Sequence, residues 1–173
     1  CRSCWTVEEG NKLVGIDASG LELRMLAHYM KDEEYVQTIL EGDIHSANQA
    51  AAGLDTRDQA KTFIYAFLYG AGDEKIGSIA GKGAAHGKKL KKDFLDNIPS
   101  LKTLKTTVEN LADTNGSLPS LDGRRIRIRK AYSALNFLLQ GGGAALMKKA
   151  LLTVLGRQVF LLRWSPTCMT SFR

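Results

Sequence analysis

The chain has 173 residues, of which 44% are hydrophobic, and this is enough for one globular domain with a core of its own. No stretch of about eighteen apolar residues occurs, so neither a membrane-spanning helix nor a secretory signal is expected. The net charge of +6 favours a polyanionic partner such as nucleic acid, although many proteins without such a partner are equally basic. The sequence does not begin with Met, which predicts that it starts within a longer protein.

The first elements in chain order are a strand, a turn and a helix. Residues 12–16 have the apolar pattern of a short strand, which ends at Asp17. Residues 21–30 then carry apolar side chains at helical spacing. In the turn between them, Ser19 is a residue type that caps helices, so the turn taken alone predicts a capped helix start. Another helix is predicted over residues 43–52.

The clearest helix is predicted over residues 56–69. Thr56 can cap its first turn, and Gln59 occupies the position from which a side chain can complete a capping box. Gly70 and Gly72 follow, and glycines at such positions end helices.

The second half of the chain predicts three further helices and a hairpin. Residues 81–95 form a basic helix, and residues 101–112 form another. Residues 121–129 contain an Asp-Gly turn followed by alternating Arg and Ile, which is typical of a hairpin with a basic outer face. Residues 132–149 are helical despite glycines at 141–143, each of which costs about 1 kcal/mol relative to Ala. Either another segment approaches that backbone closely, or the helix breaks there.

Four residues of the helix over 56–69 form a possible nucleotide site. Arg57, Lys61, Tyr65 and Tyr69 are spaced four apart, and successive members drift about 40° around a helix, so they form one slanting stripe. Two cations near the positive end of the helix dipole could hold phosphates, and an aromatic ring one turn further could stack on a base. The alternative is a solvated basic edge with two core tyrosines.

Other polar residues are ambiguous when each is taken alone. Asp17 follows a strand, where magnesium ligands are frequent, but an acid in such a turn is also a common helix cap. Glu22 and Arg24 have the spacing of surface residues on a helix, and His45 would by default be a satisfied polar residue.

Five segments of the chain form a recognisable set. They are DASGLELR at 17–24, DIHSANQ at 43–49, RDQAKTFIYAFLYGAG at 57–72, DGRRIRIR at 122–129 and ALNFLLQGGGA at 134–144. Together they are similar to motifs of DNA polymerases of family A, and the resemblance covers about residues 12–150 in the family's order and spacing. The SGLE sequence at 19–22 resembles that of the family branch carried by short-tailed bacteriophages.

The resemblance implies a role for each residue that matches a family motif. Asp17 would bind both catalytic Mg²⁺ ions, and the backbone carbonyl of Ala18 would assist on one of them. Arg57 and Lys61 would act with Asp17 in catalysis by holding the triphosphate of the incoming nucleotide. His45 would contact the same phosphates.

The resemblance also implies contacts with the base, the sugar and the DNA. Tyr65 would stack against the nucleotide, and Glu22 would pair with Tyr69 to close the pocket against a 2′-hydroxyl. Asn136 and Gln140 would touch the minor groove of the primer–template duplex.

Basic residues of the predicted hairpin would grip duplex phosphates without reading sequence, or would be solvated surface. Arg127 and Arg129 are the main candidates. Arg24 would make either a structural ion pair or a DNA contact. The other basic residues that the predicted hairpin offers for the same phosphate contacts are Arg124, Arg125 and Lys130.

The fold implied is α+β, with mostly helical fingers and part of a polymerase palm sheet. Residues 1–150 would form the partial palm and fingers, and residues 151–173 a divergent tail.

The family needs a second metal-binding Asp in a His-Asp-Glu motif, and no His-Asp pair occurs here, so the chain alone is expected to be inactive. DNA that encodes residues 167–173 can be chosen so that another frame reads Val-His-Asp-Glu-Phe-Gln. We therefore hypothesise that the reading frame shifts after about Lys149.

The function implied is DNA-templated DNA synthesis in phage replication, by two-metal transfer of a nucleotide from a dNTP to a primer 3′-hydroxyl. The expected partners are primer–template DNA, dNTP and a processivity factor, with no membrane, in the cytoplasm of the infected bacterial host. Two alternatives stay open. A single-subunit RNA polymerase shares the Asp and the Arg/Lys/Tyr helix, although Glu22 argues against it, and a non-catalytic DNA-binding module needs no metal chemistry.

Overall fold

A computed structural model describes residues 8–10, 12, 15 and 17–157 of the chain. The strand predicted over 12–16 lies mostly outside these residues, and so does the predicted tail after Arg157. The described part is mostly helical with one small antiparallel sheet, which confirms the α+β prediction. None of its helices is both long enough and apolar enough to cross a bilayer. The elements are α1 Leu21–Met30, α2 Glu33–Glu41, α3 Ile44–Ala52, α4 Arg57–Leu68, α5 Asp73–Ile79, α6 Ala84–Asn97, α7 Pro99–Asn115, β1 Ser117–Pro119, β2 Arg125–Arg127 and α8 Ala134–Arg157.

The main hydrophobic core joins α1, α4 and α6. Leu26 of α1 and Phe63 of α4 are fully buried, as is Phe94 of α6. The rings of Phe63 and Phe94 meet edge to face with centroids 5.1 Å apart, a geometry that adds to the free energy of burying them. Phe67, one turn along α4, packs on both rings. This aromatic cluster fixes the face that α4 turns toward the protein interior.

The glycines in α8 allow close contact with α1 and the hairpin. A Cβ atom at Gly142 would lie 2.7 Å from Cε of Met25 and 2.9 Å from the hydroxyl of Tyr29. A Cβ atom at Gly143 would lie 3.1 Å from Cδ2 of Leu21. The helix continues through all three glycines, so the predicted close approach is confirmed. The approaching segments are α1 at Gly142 and Gly143 and the hairpin residue Ile126 at Gly141.

The predicted hairpin is present. Its strands pair antiparallel, with Leu118 opposite Ile126, and Leu118 is buried in a second small core against α7 and α8. Arg125 and Arg127 flank Ile126 and point to solvent, as the predicted basic outer face requires. The turn places Gly123 at a φ of 81°, which a glycine adopts readily.

Two helices, α2 and α5, were not predicted from the sequence. Helix α2 begins at an Asp32 side chain that accepts from the backbone N–H of Tyr35, a capping signal that the prediction missed. Helix α5 has no side-chain cap and lies against α6, where Gly77 and Gly87 let the two backbones meet.

Predicted helix boundaries also need correction. Helix α6 begins at Ala84 rather than at residue 81, because Gly81 has a φ of 68° in the left-handed region. Helix α8 begins at Ala134, after a short 3-10 turn over Ala131–Ser133.

Replacing Gly87 by Ala should destabilise the fold by roughly 2–3 kcal/mol, because overpacking against backbone cannot be relieved by a rotamer change. The new Cβ would overlap the carbonyl oxygen of Asp73 and lie 2.6 Å from the backbone nitrogen of Gly77. Urea unfolding followed by circular dichroism measures the loss. Gly141→Ala is the control, since its Cβ meets only the end of the Ile126 side chain and Ala gains about 1 kcal/mol of helix propensity. Equal stabilities of the two variants would contradict the close packing of α5 on α6.

Candidate nucleotide-binding site

The first turn of α4 is built by a complete capping box. The Thr56 hydroxyl accepts from the backbone N–H of Gln59 at 3.2 Å, and the Gln59 side chain accepts from the backbone N–H of Thr56 at 3.2 Å. The predicted cap is therefore confirmed. It satisfies two N–H groups that a helix start otherwise leaves unpaired.

The outer face of α4 carries the predicted stripe. Arg57 and Lys61 are exposed, Tyr65 is half-buried and Tyr69, just beyond the helix, is 44% exposed. Tyr65 packs against the main core and Tyr69 does not, so the alternative of two core tyrosines fits only the first of them. The four side chains lie along the border between the core and solvent, with the cations at one end and the aromatic rings at the other.

Helix α3 brings an acid to the first residue of α4. Asp43 accepts from Nε of Arg57 at 2.6 Å and from Nη2 at 3.1 Å, so the pair uses both carboxylate oxygens. Asp43 is also the N-cap of α3, accepting from the backbone N–H of His45 and from the hydroxyl of Ser46. The hydrogen bonds from Arg57 and Ser46 hold the pKa of Asp43 well below its usual range.

Asp43 was given no role by the sequence analysis. The signal for a cap was present, because Asp is a favoured N-cap and stands at the start of the predicted helix, which in the structure begins one residue later, at Ile44. The pairing with Arg57, fourteen positions away, had no local signal.

His45 lies beside Tyr65, with ring centroids 6.4 Å apart. Its Nδ1 atom is buried and has no hydrogen-bond partner among the described residues. Burial lowers the pKa of His45, and the positive charges of Arg57 and Lys61 lower it further, while the carboxylate of Asp43 acts in the opposite direction. The imidazole is therefore held in its neutral form at pH 7. The expectation of a satisfied polar residue is not met.

At the other end of the stripe, α1 and α8 reach Tyr69. The Tyr69 hydroxyl donates to Oε1 of Glu22 at 3.2 Å, so the two residues that the resemblance pairs are in contact. Burial raises the pKa of Tyr69, and Glu22 raises it further, while the Gln140 side chain acts to lower it. Burial and Glu22 also raise the pKa of Tyr65, so one carboxylate influences both tyrosines.

The predicted metal ligand, Asp17, is exposed and precedes a tight turn. Ala18 is half-buried against the main core, which fixes the chain next to Asp17. The turn ends at Gly20, which is the N-cap of α1 in a left-handed conformation with no side-chain cap, so the predicted cap by Ser19 is wrong. Nε of Arg24 donates to the carbonyl of Ser19 at 3.0 Å, so Arg24 stabilises this turn.

No cluster of three or more His, Cys, Asp or Glu side chains forms a metal site within the part of the chain that the structure describes. Asp17 and the carbonyl of Ala18 are oxygen donors of the kind that Mg²⁺ prefers, so they fit one side of such a site.

The predicted DNA-binding residues occupy two surfaces. Asn136 and Gln140 are one turn apart on α8, and Gln140 extends toward Tyr69. Arg127 and Arg129 are exposed on the hairpin side. Arg124 differs from them, because its guanidinium pairs with Asp122 within the turn.

Comparison with known proteins identifies the family. A protein-family model, described as DNA polymerase family A, matches residues 1–158 of the chain. The chain belongs to DNA polymerase family A. It is 52% identical to the DNA-directed DNA polymerase of Escherichia phage T7 over 151 residues, which cover 78% of this chain and 21% of the phage protein.

More distant family A members extend the comparison. The chain is 41% identical to the DNA-directed DNA polymerase of Escherichia phage Phieco32, covering 87% of the chain and 29% of that protein. It is 29% identical to the thermostable DNA polymerase I of Thermus filiformis, covering 90% of the chain and 21% of that protein. The higher identity to these two Escherichia phage enzymes agrees with the predicted phage branch. The chain thus spans less than a third of the length of these curated relatives.

The depressed pKa of His45 predicts how stability depends on pH. Because His45 has a lower pKa in the folded chain than in the unfolded chain, the unfolded chain takes up its proton first, and stability is lost as the pH falls below about 6.5 toward the folded pKa. The wild type should therefore lose stability relative to His45→Gln between pH 7.5 and pH 5.5. Urea midpoints over this range measure the difference. His28→Gln controls for the loss of an exposed imidazole, and parallel curves for wild type and His45→Gln would contradict the prediction.

Proposed function

We propose that the chain forms the nucleotide-binding part of a DNA polymerase, which transfers a nucleotide from a dNTP to a primer 3′-hydroxyl during phage DNA replication. One observation carries this proposal. The outer face of α4 presents two cations and two tyrosines in sequence, and α3 and α1 add His45 and Glu22 to the two ends of that face. The names of the phage relatives, DNA-directed DNA polymerase, support the same reaction.

The triphosphate would lie against the first two turns of α4. Arg57 and Lys61 supply positive charge there, next to the positive end of the helix dipole. His45 is close enough to both cations for them to lower its pKa, so it borders the same space. A neutral imidazole can donate one hydrogen bond to a phosphate oxygen without adding charge.

The nucleoside would extend toward Tyr65 and Tyr69. The half-buried ring of Tyr65 offers a stacking surface. The hydrogen bond between Tyr69 and Glu22 joins α4 to α1 and closes one side of that space, where a 2′-hydroxyl would crowd against it. A closed wall at this place favours a deoxyribonucleotide over a ribonucleotide.

Asp17 and the carbonyl of Ala18 would hold Mg²⁺. Two such ions, when bound, stabilise the attacking and leaving oxygens of an in-line displacement. The chain's own cations at Arg57 and Lys61 would neutralise the departing pyrophosphate. Because the sequence contains no His-Asp pair to supply a second aspartate, we propose that this chain alone does not extend primers.

The DNA would contact α8 and the hairpin. Asn136 and Gln140 would reach the minor groove near the nucleotide, since Gln140 already extends to Tyr69. Arg127 and Arg129 would contact duplex phosphates from the exposed face of the hairpin. Primer–template DNA, dNTP and a processivity factor are the proposed partners, and the infected bacterial cytoplasm is the proposed location.

We retain the proposed division into a polymerase part over 1–150 and a divergent tail over 151–173. The match to the family model ends at residue 158, which supports a departure from the family within the predicted tail, after its first eight residues, 151–158. Sequencing the encoding DNA beyond Lys149 tests the frameshift. A shifted frame that encodes Val-His-Asp-Glu would support it, and the absence of such a frame would exclude it.

Replacing Lys61 by Ala should weaken binding of Mg²⁺–dATP roughly tenfold, because a hydrogen bond to a charged phosphate contributes about 1.5 kcal/mol or more. Isothermal titration calorimetry of the chain measures the affinity. Lys102→Ala is the matched control, since Lys102 lies on α7 in a surface ion pair with Asp96. Equal losses in both variants would indicate general attraction by a basic protein, and no loss in Lys61→Ala would contradict the site.

Replacing Glu22 by Ala should reduce the preference for dATP over ATP roughly tenfold, because the wall formed with Tyr69 is removed. The two affinities are compared by calorimetry in the wild type and in the variant. Glu33→Ala, which removes an acid from the first turn of α2, should keep the wild-type ratio. A wild type without any preference for the deoxyribonucleotide would favour the RNA polymerase alternative.

A further inference from the structure

The arginine of the proposed triphosphate site already has an anionic partner. Both carboxylate oxygens of Asp43 accept hydrogen bonds from the guanidinium of Arg57, at 2.6 and 3.1 Å. Such a forked pair is the geometry in which a guanidinium also binds phosphate. A phosphate that binds Arg57 in this way therefore has to take the place of the carboxylate.

Asp43 is held in place more firmly than Arg57. Its side chain also caps α3, accepting from the backbone N–H of His45 at 3.1 Å and from the hydroxyl of Ser46 at 2.8 Å. Moving the carboxylate away would break these hydrogen bonds as well as the ion pair. The side chain of Arg57 is 51% exposed and has no comparable second anchor among the described contacts, so the guanidinium is the partner that moves.

Lys61, the other cation of the stripe, differs from Arg57 in its ion pairing. Lys61 is exposed and makes no ion pair with any residue in the described ranges. A ligand thus meets one available cation at Lys61 and one paired cation at Arg57. Binding at Lys61 requires no exchange, whereas binding at Arg57 requires the loss of an ion pair.

We propose that Asp43 is a specificity-determining residue that competes with the ligand for Arg57 and so favours triphosphates over monophosphates. A ligand gains from the exchange only if its phosphates exceed the carboxylate in negative charge and reach Lys61 at the same time. A triphosphate chain would meet both conditions, whereas a single phosphate group would meet the condition on charge but not the condition on reach to Lys61. This inference rests on the proposed function, because it assigns the selectivity of the same site.

Asp43→Asn tests the inference because Asn has nearly the same shape and is an equally good N-cap, yet carries no charge. We expect the affinity for inorganic tripolyphosphate to rise roughly two- to fivefold, the range expected for loss of an exposed ion pair. The affinity for dAMP should rise by a larger factor than the affinity for dATP, so that the ratio of dATP to dAMP affinity falls. Isothermal titration calorimetry at low ionic strength measures all three ligands.

The Arg57→Gln background is the decisive control. If Asp43 acts through Arg57, adding Asp43→Asn to Arg57→Gln should change the tripolyphosphate affinity by less than the single substitution does. An equal rise in both backgrounds would overturn the inference, because it would show only the loss of a repelling charge. A fall in affinity in Asp43→Asn would also overturn it, since Asp43 would then position Arg57 for the ligand.

Two further measurements separate the possible failures. Asp43→Ser, which keeps a capping side chain, replaces Asp43→Asn if the latter does not fold. Tripolyphosphate tests the competition without a nucleoside. If its affinity follows Asp43 and Arg57 as expected but dATP binds no better than tripolyphosphate, the competition stands and the nucleotide site fails. If tripolyphosphate binds neither the wild type nor Asp43→Asn, the competition itself is overturned.

Discussion

The burial of one face of α4 determines where its other face points, and the contacts of the candidate site depend on that orientation. Phe63 and Phe67 pack on Phe94 of α6, and Ala60 and Ile64 are fully buried beside them. With that face fixed, residues at positions 57, 61, 65 and 69 fall along the boundary of the core. The capping box fixes the start of the helix, so the cations sit at a defined height on its first two turns.

A second constraint brings the sugar end of the site together. Glu22 of α1 accepts a hydrogen bond from Tyr69, and Gln140 of α8 lies near the same hydroxyl. The two helices meet closely at Gly142, where a Cβ atom would collide with Met25 of α1. Glu22 is one turn before Met25, whose side chain fills the space beside Gly142. The cost of glycine within a helix, about 1 kcal/mol each, is therefore offset by packing that also positions site residues. Stability and site geometry are coupled at this interface.

Local signals in the sequence predicted part of this arrangement. The capping box at Thr56, the apolar spacing of α1 and the Asp-Gly turn of the hairpin each act over four residues or fewer, so pattern alone identified them. Helix α5 was missed because it lacks a capping side chain, and its packing depends on Gly77 meeting a helix ten residues further along. The Ser19 cap was predicted wrongly because Gly20 can take the left-handed conformation that starts α1 without one.

The contacts within the site required more than local pattern. The hydrogen bond between Glu22 and Tyr69 spans 47 positions, and only the resemblance to family A indicated it. The ion pair between Asp43 and Arg57 spans fourteen positions and had no signal in spacing or charge. Family motifs identify which residues contact a ligand, whereas the partners that those residues have before the ligand arrives depend on the packing of this chain.

The charges of the ligand-free site are largely balanced where the triphosphate would bind. The carboxylate of Asp43 offsets the positive charge of Arg57. Burial and the two cations keep His45 neutral. Lys61 therefore carries the positive charge that the described contacts do not offset. A polyanion reverses this balance, because each phosphate that approaches Arg57 weakens its hold on Asp43 and makes a proton on His45 less costly. A ligand with several phosphate groups would drive both changes at once, whereas a ligand with one phosphate group would bind only one of the two cations, Lys61 or Arg57. The proposed selectivity for triphosphates would then follow from the partners that the chain provides to its own cations.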